Sequence, residues 1–455
     1  MRRYRLLAAA AAALAIAQGA ALGQKPATPP LPVARSVLSN GLTVLALEDH
    51  TVPSVAVHIV YKVGSRNERS GITGLSHLFE HMMFNGSARF KPKVFDQLIE
   101  AAGGSSNAFT SPDTTEYHEE VSSGALATVL ELEADRMRAL RLDRQNLEQE
   151  RAVVKEERRL RVDESVEGSM SELLWNTAFV AHPYRWEVAG FLRDLDAITL
   201  EDARRYFATY YAPNNAVMAV VGDFRTAELF RLVNKHFGPI RRAPAPPPVV
   251  QTEPPQRGER RSELWRPAEL HAVTVGYKVP SFRHKDEPAL NLLDSILSRG
   301  ESSRLYRALI YDRQIAAAVY SANDSRLDGG LFTLYAQARP GHTAAECEQA
   351  LYGVIEDIQK NGVEERELEK AKNAVRATHV RSFTTNAGRA MLLAEREALF
   401  GTWKDIYNHV PRHEAATPAD VQRVARQYLV ARKRTVVTLV PEQSGTAAQE
   451  QEAAK

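Results

Sequence analysis

Gly74-Leu-Ser-His77-Leu-Phe-Glu80-His81-Met-Met-Phe84-Asn-Gly86 is the stretch on which the reading of this chain turns. Leu75, Leu78, Phe79 and Met82 recur at helical spacing, so the segment predicts a buried helix. On a helix, Glu80 stands about −60° and His81 about +40° from His77, so the three share one face. Two imidazoles four residues apart can chelate one metal ion, and Glu80 lies beside them, free to handle a proton. A catalytic zinc site takes three protein ligands and keeps one position open. One further ligand must therefore come from elsewhere.

Glu150-Arg-Ala-Val-Val-Lys-Glu-Glu157 supplies the candidate. The segment is strongly helical, and Glu150 and Glu157, seven apart, share a face with Val154 between them. A carboxylate on an apolar stripe is unfavourable unless paired or metal-bound. Glu157 is the expected third ligand, and Glu150 the expected carboxylate that orients a histidine. The competing reading is plain: Arg151, Lys155, Glu156, Arg158 and Arg159 make this helix look like a solvated face. A lone histidine is more often structural than a ligand. The five-residue H-x-x-E-H pattern arises by chance a few hundredths of a time in a chain with 13 histidines in 455 residues,.

Around this stretch the chain alternates strands and helices. Val37 to Leu47 predicts a hairpin turned at Asn40-Gly41, and Val55 to Val63 a strand. Helical patterns cover 74–84, 93–102, 124–140 and 144–162, with extended segments at 106–110 and 114–121. This mixture predicts α+β, with antiparallel sheets covered by helices. The pattern also recurs. Thr199-x-x-Asp202 opens a helix that runs through Tyr210 into the apolar strand 216–221. Thr417-x-x-Asp420 opens one that runs through Tyr428 into the strand 435–440. All three residues are offset by 218, and Thr-x-x-Asp is a helix N-terminus signal.

The ends and the middle are different in kind. Arg2, Arg3 and Arg5 precede a 12-residue apolar run, Leu6 to Ala17, and Ala21-Leu22-Gly23 is a cleavage site. This is the pattern of a secretory signal peptide, too short to span a bilayer as a stable anchor. The expected location is periplasmic or secreted. The whole chain carries 58 Lys+Arg and 56 Asp+Glu; removing residues 1–23 takes away three arginines and no acid, leaving −1. So balanced a charge argues against nucleic-acid binding. The single Cys347 excludes an intramolecular disulfide and a multi-cysteine metal site. Residues 24–35 read as an extended leader, 36–238 as a metal-bearing domain and 239–261 as a proline-rich linker. Residues 262–443 read as a second domain and 444–455 as a disordered tail.

The opening stretch resembles the inverzincin signature of the pitrilysin family, which includes insulysin and the mitochondrial processing peptidases. The likeness continues upstream through Val63-Gly-Ser-Arg-Asn-Glu68. Downstream it takes in Gly103-Gly104, Asn107-Ala108-Phe109-Thr110 and Asp113-Thr-Thr-Glu-Tyr117. It reaches Glu150 to Glu157, where Glu157 stands 76 residues beyond His81. The resemblance implies two homologous halves, each a mainly antiparallel sheet covered by helices, forming a clamshell. It implies one zinc ion held by His77, His81 and Glu157, with Glu80 as the general base that activates water and Glu150 in support. Asn107, Ala108, Phe109 and Thr110 correspond to an edge strand that holds an extended peptide substrate by β-augmentation.

Aligning Gly86 with Gly300 lays the motif helix over residues 287–300. His77 then falls on Asn291, Glu80 on Asp294 and His81 on Ser295, while Leu78/Leu292, Phe79/Leu293, Met82/Ile296 and Met83/Leu297 stay apolar. The second half is expected to bind no metal. In the family, a metal-free half supplies an arginine and, seven residues later, a tyrosine that help hold substrate. Here those positions are Ile310 and Ala317; Arg313 and Tyr320 have the spacing but lie three residues out of register. The expectation is a zinc endopeptidase that needs a homologous partner subunit lacking zinc to bring the Arg/Tyr pair. The alternatives are a non-catalytic peptide-binding or assembly protein on the same fold, and a zinc hydrolase of small amides or esters.

Overall fold

The computed structural model describes residues 30–442. The expected signal peptide (1–23) and tail (444–455) lie outside the described residues.

Alternating apolar segments build two sheets. β1 (Ala34–Val37), β2 (Thr43–Glu48), β3 (Ser54–Tyr61), β4 (Ser105–Thr110), β5 (Thr115–Ser122) and β6 (Ala216–Gly222) form a six-stranded sheet ordered β1-β2-β6-β3-β5-β4. β7 (Arg260–Pro267), β8 (Ala272–Val279), β9 (Ala316–Arg326), β10 (Gly329–Ala338) and β11 (Arg434–Glu442) form a five-stranded sheet ordered β7-β11-β8-β10-β9. Only β2/β6 and β7/β11 run parallel; every other pairing is antiparallel. Leaving out β1, the two orders are one order repeated. This is the α+β duplication expected from sequence, and β6 and β11 are the strands of the 218-residue repeat. Each is led in by a helix whose threonine and aspartate close a capping box, Thr199 with Asp202 and Thr417 with Asp420,.

The longer helices of the first half are α1 (Leu75–Met82), α2 (Val94–Ala101), α3 (Leu126–Ala139), α4 (Arg144–Arg158), α5 (Val166–Ala178), α6 (Leu192–Ala197), α7 (Leu200–Tyr210) and α8 (Thr226–Phe237). Those of the second are α9 (Glu287–Ser298), α10 (Ala344–Asn361), α11 (Glu365–Ser382), α12 (Asn386–Phe400), α13 (Ile406–Glu414) and α14 (Pro418–Tyr428). None of the described helices is long and apolar enough to cross a membrane.

The packing departs from two contiguous halves. α5 belongs to the first half by sequence, yet Met170, Leu174, Trp175 and Ala178 form one core with Ala272, Leu331, Tyr335, Val437 and Leu439 of the second sheet. In return α12 lies against β3 and β6. Its Asn386 side-chain amide donates to the Ser54 carbonyl (3.2 Å), Arg389 pairs with Asp49 (2.7 Å), and Glu397 pairs with Arg35 (2.8 Å). A sheet with one bare face must bury it, and here each sheet takes that cover from the other half. The amphipathic pattern of α5 announces a buried face but not which sheet receives it.

Two boundaries shift as well. β1 starts at Ala34, inside the expected leader, because residues 34–37 pair with 43–46. β7 starts at Arg260, inside the expected linker, because Arg260 and Arg261 pair with Thr435 and Val436. The rest of the linker has no regular structure but is pinned. The Glu253 carboxylate accepts the backbone N–H groups of Val180, Ala181 and His182 and pairs with Lys278 (2.7 Å).

Candidate active site

α1 is held rigidly before any chemistry is considered. Leu75, Leu78, Phe79 and Met82 are fully buried. Phe79 packs among Tyr206, Phe207 and Tyr211, with ring centroids 5.0 to 6.0 Å away. At its start, Glu68 accepts the N–H groups of Gly74 (2.8 Å) and Ser76 (2.7 Å), which are otherwise orphan donors of a helix N-terminus,. Burial pushes the Glu68 carboxyl up to about 8, against the pull of those donors. The loop ending at Gly190 approaches so closely that a Cβ there would lie 2.3 Å from the Gly74 nitrogen. Glu68 and this loop escaped the residue-level reading, since nothing local marks a carboxylate that caps a helix six residues ahead.

α4 crosses α1 and brings its carboxylates to the histidines. The His77 and His81 rings stand edge to face, centroids 4.9 Å apart. Glu157 Oε2 lies 3.4 Å from His77 Nε2 and 3.1 Å from His81 Nε2. Tetrahedral zinc with bonds near 2.0–2.1 Å separates its ligand atoms by about 3.3 Å, so this donor set fits the ion. Among the described residues, these three alone gather His, Cys, Asp or Glu ligand atoms within 4.8 Å of one another. His77 Nδ1 is buried with no hydrogen-bond partner. The interaction with His77 leads in holding the Glu157 carboxyl down at about 2 against its burial, with the charges of His77, Arg161 and His81 adding to it. Glu150 is buried, its Oε2 3.7 Å from His81 Nδ1. That is longer than a hydrogen bond but on the side of the ring away from Glu157. Beyond Arg158 the helix widens into a π turn, Arg159–Asp163, which carries Arg161 to a 2.7 Å ion pair with Glu157.

Glu80 shares the same face. Its Oε2 accepts the Thr110 hydroxyl at 2.6 Å. Thr110 ends β4, the last strand of its sheet, so among the described residues the outer edge of β4 has no strand neighbour. Asn107, Ala108, Phe109 and Thr110 line one wall of a cavity of about 640 Å³. His77, Glu80, His81 and Glu157 form its floor; Arg158, Arg161, Ser171 and residues 187–189 close the other side. All of its walls come from the first half. Arg313 and Tyr320 do not line this cavity: Arg313 is exposed, and Tyr320 stacks on Tyr335 (4.8 Å) and donates to Glu167 (2.7 Å).

A duplicated fold whose first copy gathers His, His and Glu beside a second glutamate defines a class, and sequence comparison agrees. The pattern of insulinase (peptidase family M16) matches residues 43–190, and that of the peptidase M16 inactive domain matches residues 197–375. This chain belongs to the M16 metallopeptidase family. It is 34% identical to the zinc protease PqqE of Helicobacter pylori, over 90% of this chain and 94% of that protein. It is 25% identical to a probable mitochondrial-processing peptidase subunit beta of Arabidopsis thaliana, over 87% of this chain and 76% of that one. The crystal structure of a protease from Helicobacter pylori superposes with a TM-score of 0.87 at 33% identity, covering 90% of this chain and 100% of that one.

Proposed function

We propose that this chain is a zinc endopeptidase that cleaves extended peptides or unfolded polypeptide segments. The observation that carries the reading is the convergence of His77, His81 and Glu157 next to Glu80, beneath an open sheet edge. When bound, zinc would lower the pKa of a water ligand to about 7 and act as a Lewis acid. The protein's own groups do the rest. Glu80, oriented by the Thr110 hydroxyl, takes the proton. Glu150 orients the His81 ring. The N–H and C=O groups on the outer edge of β4 hold the peptide as an added strand, the Ala108 N–H exchanging its bond to the Asn107 side chain for one to the peptide,, with the scissile bond laid over the cavity floor.

A second component of the reading is a partner. The positions aligned with the family's Arg/Tyr pair are Ile310 and Ala317, and neither can donate a side-chain hydrogen bond. A homologous, zinc-free subunit would supply the pair and cover the side of the cavity that the second half leaves open. Residues 1–23 direct the protein to the periplasm or beyond.

The decisive experiment compares wild type with Glu80→Gln, each with and without its co-purifying partner. Zinc is expected in both, at one ion per chain. Peptide hydrolysis is expected to fall by about 10²–10⁴-fold in the variant. A wild type that neither binds zinc nor regains it from solution would overturn the proposal. Full activity of the isolated chain would remove the partner from it.

A further inference from the structure

The turn that ends β4 is held by the other half of the molecule. β4 and β5 are joined through Ser111, Pro112, Asp113 and Thr114. The Asp113 side chain is only 9% exposed and reaches the tip of the β9–β10 hairpin. Asp113 Oδ2 accepts the backbone N–H of Leu327 at 2.9 Å, and Oδ1 accepts the Tyr184 hydroxyl at 2.6 Å. The Tyr184 oxygen in turn accepts the Asp328 N–H at 3.2 Å. Asp328 forms an ion pair with Arg66 and accepts a hydrogen bond from His182 Nε2 at 3.2 Å. Arg66 closes the circuit, its guanidinium 3.4 Å from Asp113 and its N–H donating to the Pro112 carbonyl at 3.0 Å. Beneath the tip, the Arg326 guanidinium lies 3.5 Å from the centre of the Trp175 ring on α5.

We infer that this latch positions the substrate strand, with Asp113 as its pivot, and so makes the metal-free half a determinant of peptide binding. Edge strands carry a free row of N–H and C=O groups and are restrained on one side only. The loop end of β4 therefore depends on what holds residues 111–114, and apart from the turn's own bonds those holds are the Ser65 backbone N–H (3.4 Å to the Ser111 carbonyl), Arg66, Tyr184 and the hairpin tip. Only three positions separate Asp113 from Thr110, whose hydroxyl sets Glu80. A buried carboxylate that loses its partners, or partners that lose their carboxylate, leave unsatisfied groups that drive local rearrangement. The free energy of that rearrangement falls on β4. The part of this inference that concerns peptide affinity rests on the peptidase reading; the part that concerns β4 order does not.

The test uses the full chain with its partner and three variants: Asp113→Ala, Asp113→Asn and, as a control next to Tyr184 but outside this network, Arg185→Ala. Backbone hydrogen exchange of residues 105–110 is the first readout. A rise of tenfold or more is expected in Asp113→Ala, with exchange in β2 unchanged and zinc still bound. Asp113→Asn keeps an oxygen acceptor for the Leu327 N–H and is expected to recover most of the protection. The Arg185 side chain reaches only the Val180 carbonyl, so Arg185→Ala is expected to match wild type. The second readout is steady-state cleavage of an unstructured peptide of about ten residues: KM is expected to rise tenfold or more, with kcat changed less. Unchanged exchange at 105–110 in Asp113→Ala would overturn the latch whether or not the enzyme is active. Raised exchange with an unaltered KM would overturn its role in peptide binding. A wild type with no peptidase activity would count against the function proposed above and leave the exchange result to judge the latch.

Discussion

α1 and α9 are the same helix put to different use. Both are followed within four residues by a glycine in the left-handed region, Gly86 at φ 92° and Gly300 at φ 81°. Both bury an apolar stripe, and both face a polar cavity, of about 640 Å³ in the first half and about 510 Å³ in the second. In α1 the polar face presents His77, Glu80 and His81 to a carboxylate on the facing helix. In α9 it presents Asn291, Asp294 and Ser295, and Val375 and Thr378 are what the facing helix α11 adds to the cavity. The donors of the second half satisfy each other. Asn323 donates to Asn291 (2.6 Å), Ser321 to Asp294 (2.5 Å), and Asn291 to Glu287. Those of the first half converge on one point, with a buried ring nitrogen unpaired. The lesson is that the apolar stripe specifies the fold, and a handful of polar positions on the opposite face specify the chemistry.

That contrast can be broken most sharply at Glu157. Glu157→Gln removes the negative ligand, and zinc measured by atomic absorption after dialysis is expected to fall from one per chain to near zero. Retention of zinc would mean that the two cavities differ less than their side chains suggest. At the next level, Glu150→Gln is expected to weaken zinc about 10–100-fold by loosening the His81 ring. The measurement is competition with a chelator, and an unchanged affinity would make Glu150 a structural acid.

The second cavity invites a pH experiment. Burial, helped by the charges of His413, Arg396, His379 and Arg412, pushes His409 down to about 3. The folded chain thus keeps this imidazole neutral, whereas the unfolded chain takes up a proton below about 6.5. The unfolded state then binds more protons, so stability falls as pH drops from about 6.5 towards 3. At pH 5 the His409 share of that loss is about 2 kcal/mol. Denaturation of the wild type and of His409→Gln at pH 7.5 and pH 5 is expected to show a shallower decline in the variant by about that amount. Parallel declines would refute the assignment. The smallest effect tests what the halves share: Thr199→Ala and Thr417→Ala each remove a capping box and are expected to lower stability by about 1 kcal/mol. Values differing by more than twofold would show that the two capped helices are not equivalent.

Much of this was legible from one stretch of sequence. The His77, Glu80, His81 face follows from helical geometry, and the seven-residue spacing of Glu150 and Glu157 points both at it. The repeat was readable because capping boxes and apolar strands are local signals. The exchange of α5 and α12 was not, because an amphipathic helix records that it has a buried face without recording its partner. Glu68 was similarly silent: its role depends on a chain reversal that brings residue 68 beneath the first turn of α1.

The amino-acid sequence alone determined the duplicated α+β plan, the residues of the metal motif and the loss of that motif from the second copy. These rest on periodicity and spacing within single elements. The tertiary structure alone decided that Glu157 meets both imidazoles at 3.1 and 3.4 Å. It also decided that the cavity is walled by one half, and that the other half reaches back to hold Asp113. Those outcomes depend on packing between segments distant in the chain, where the position of one side chain is set by the shape of distant surfaces and not by its neighbours in the chain.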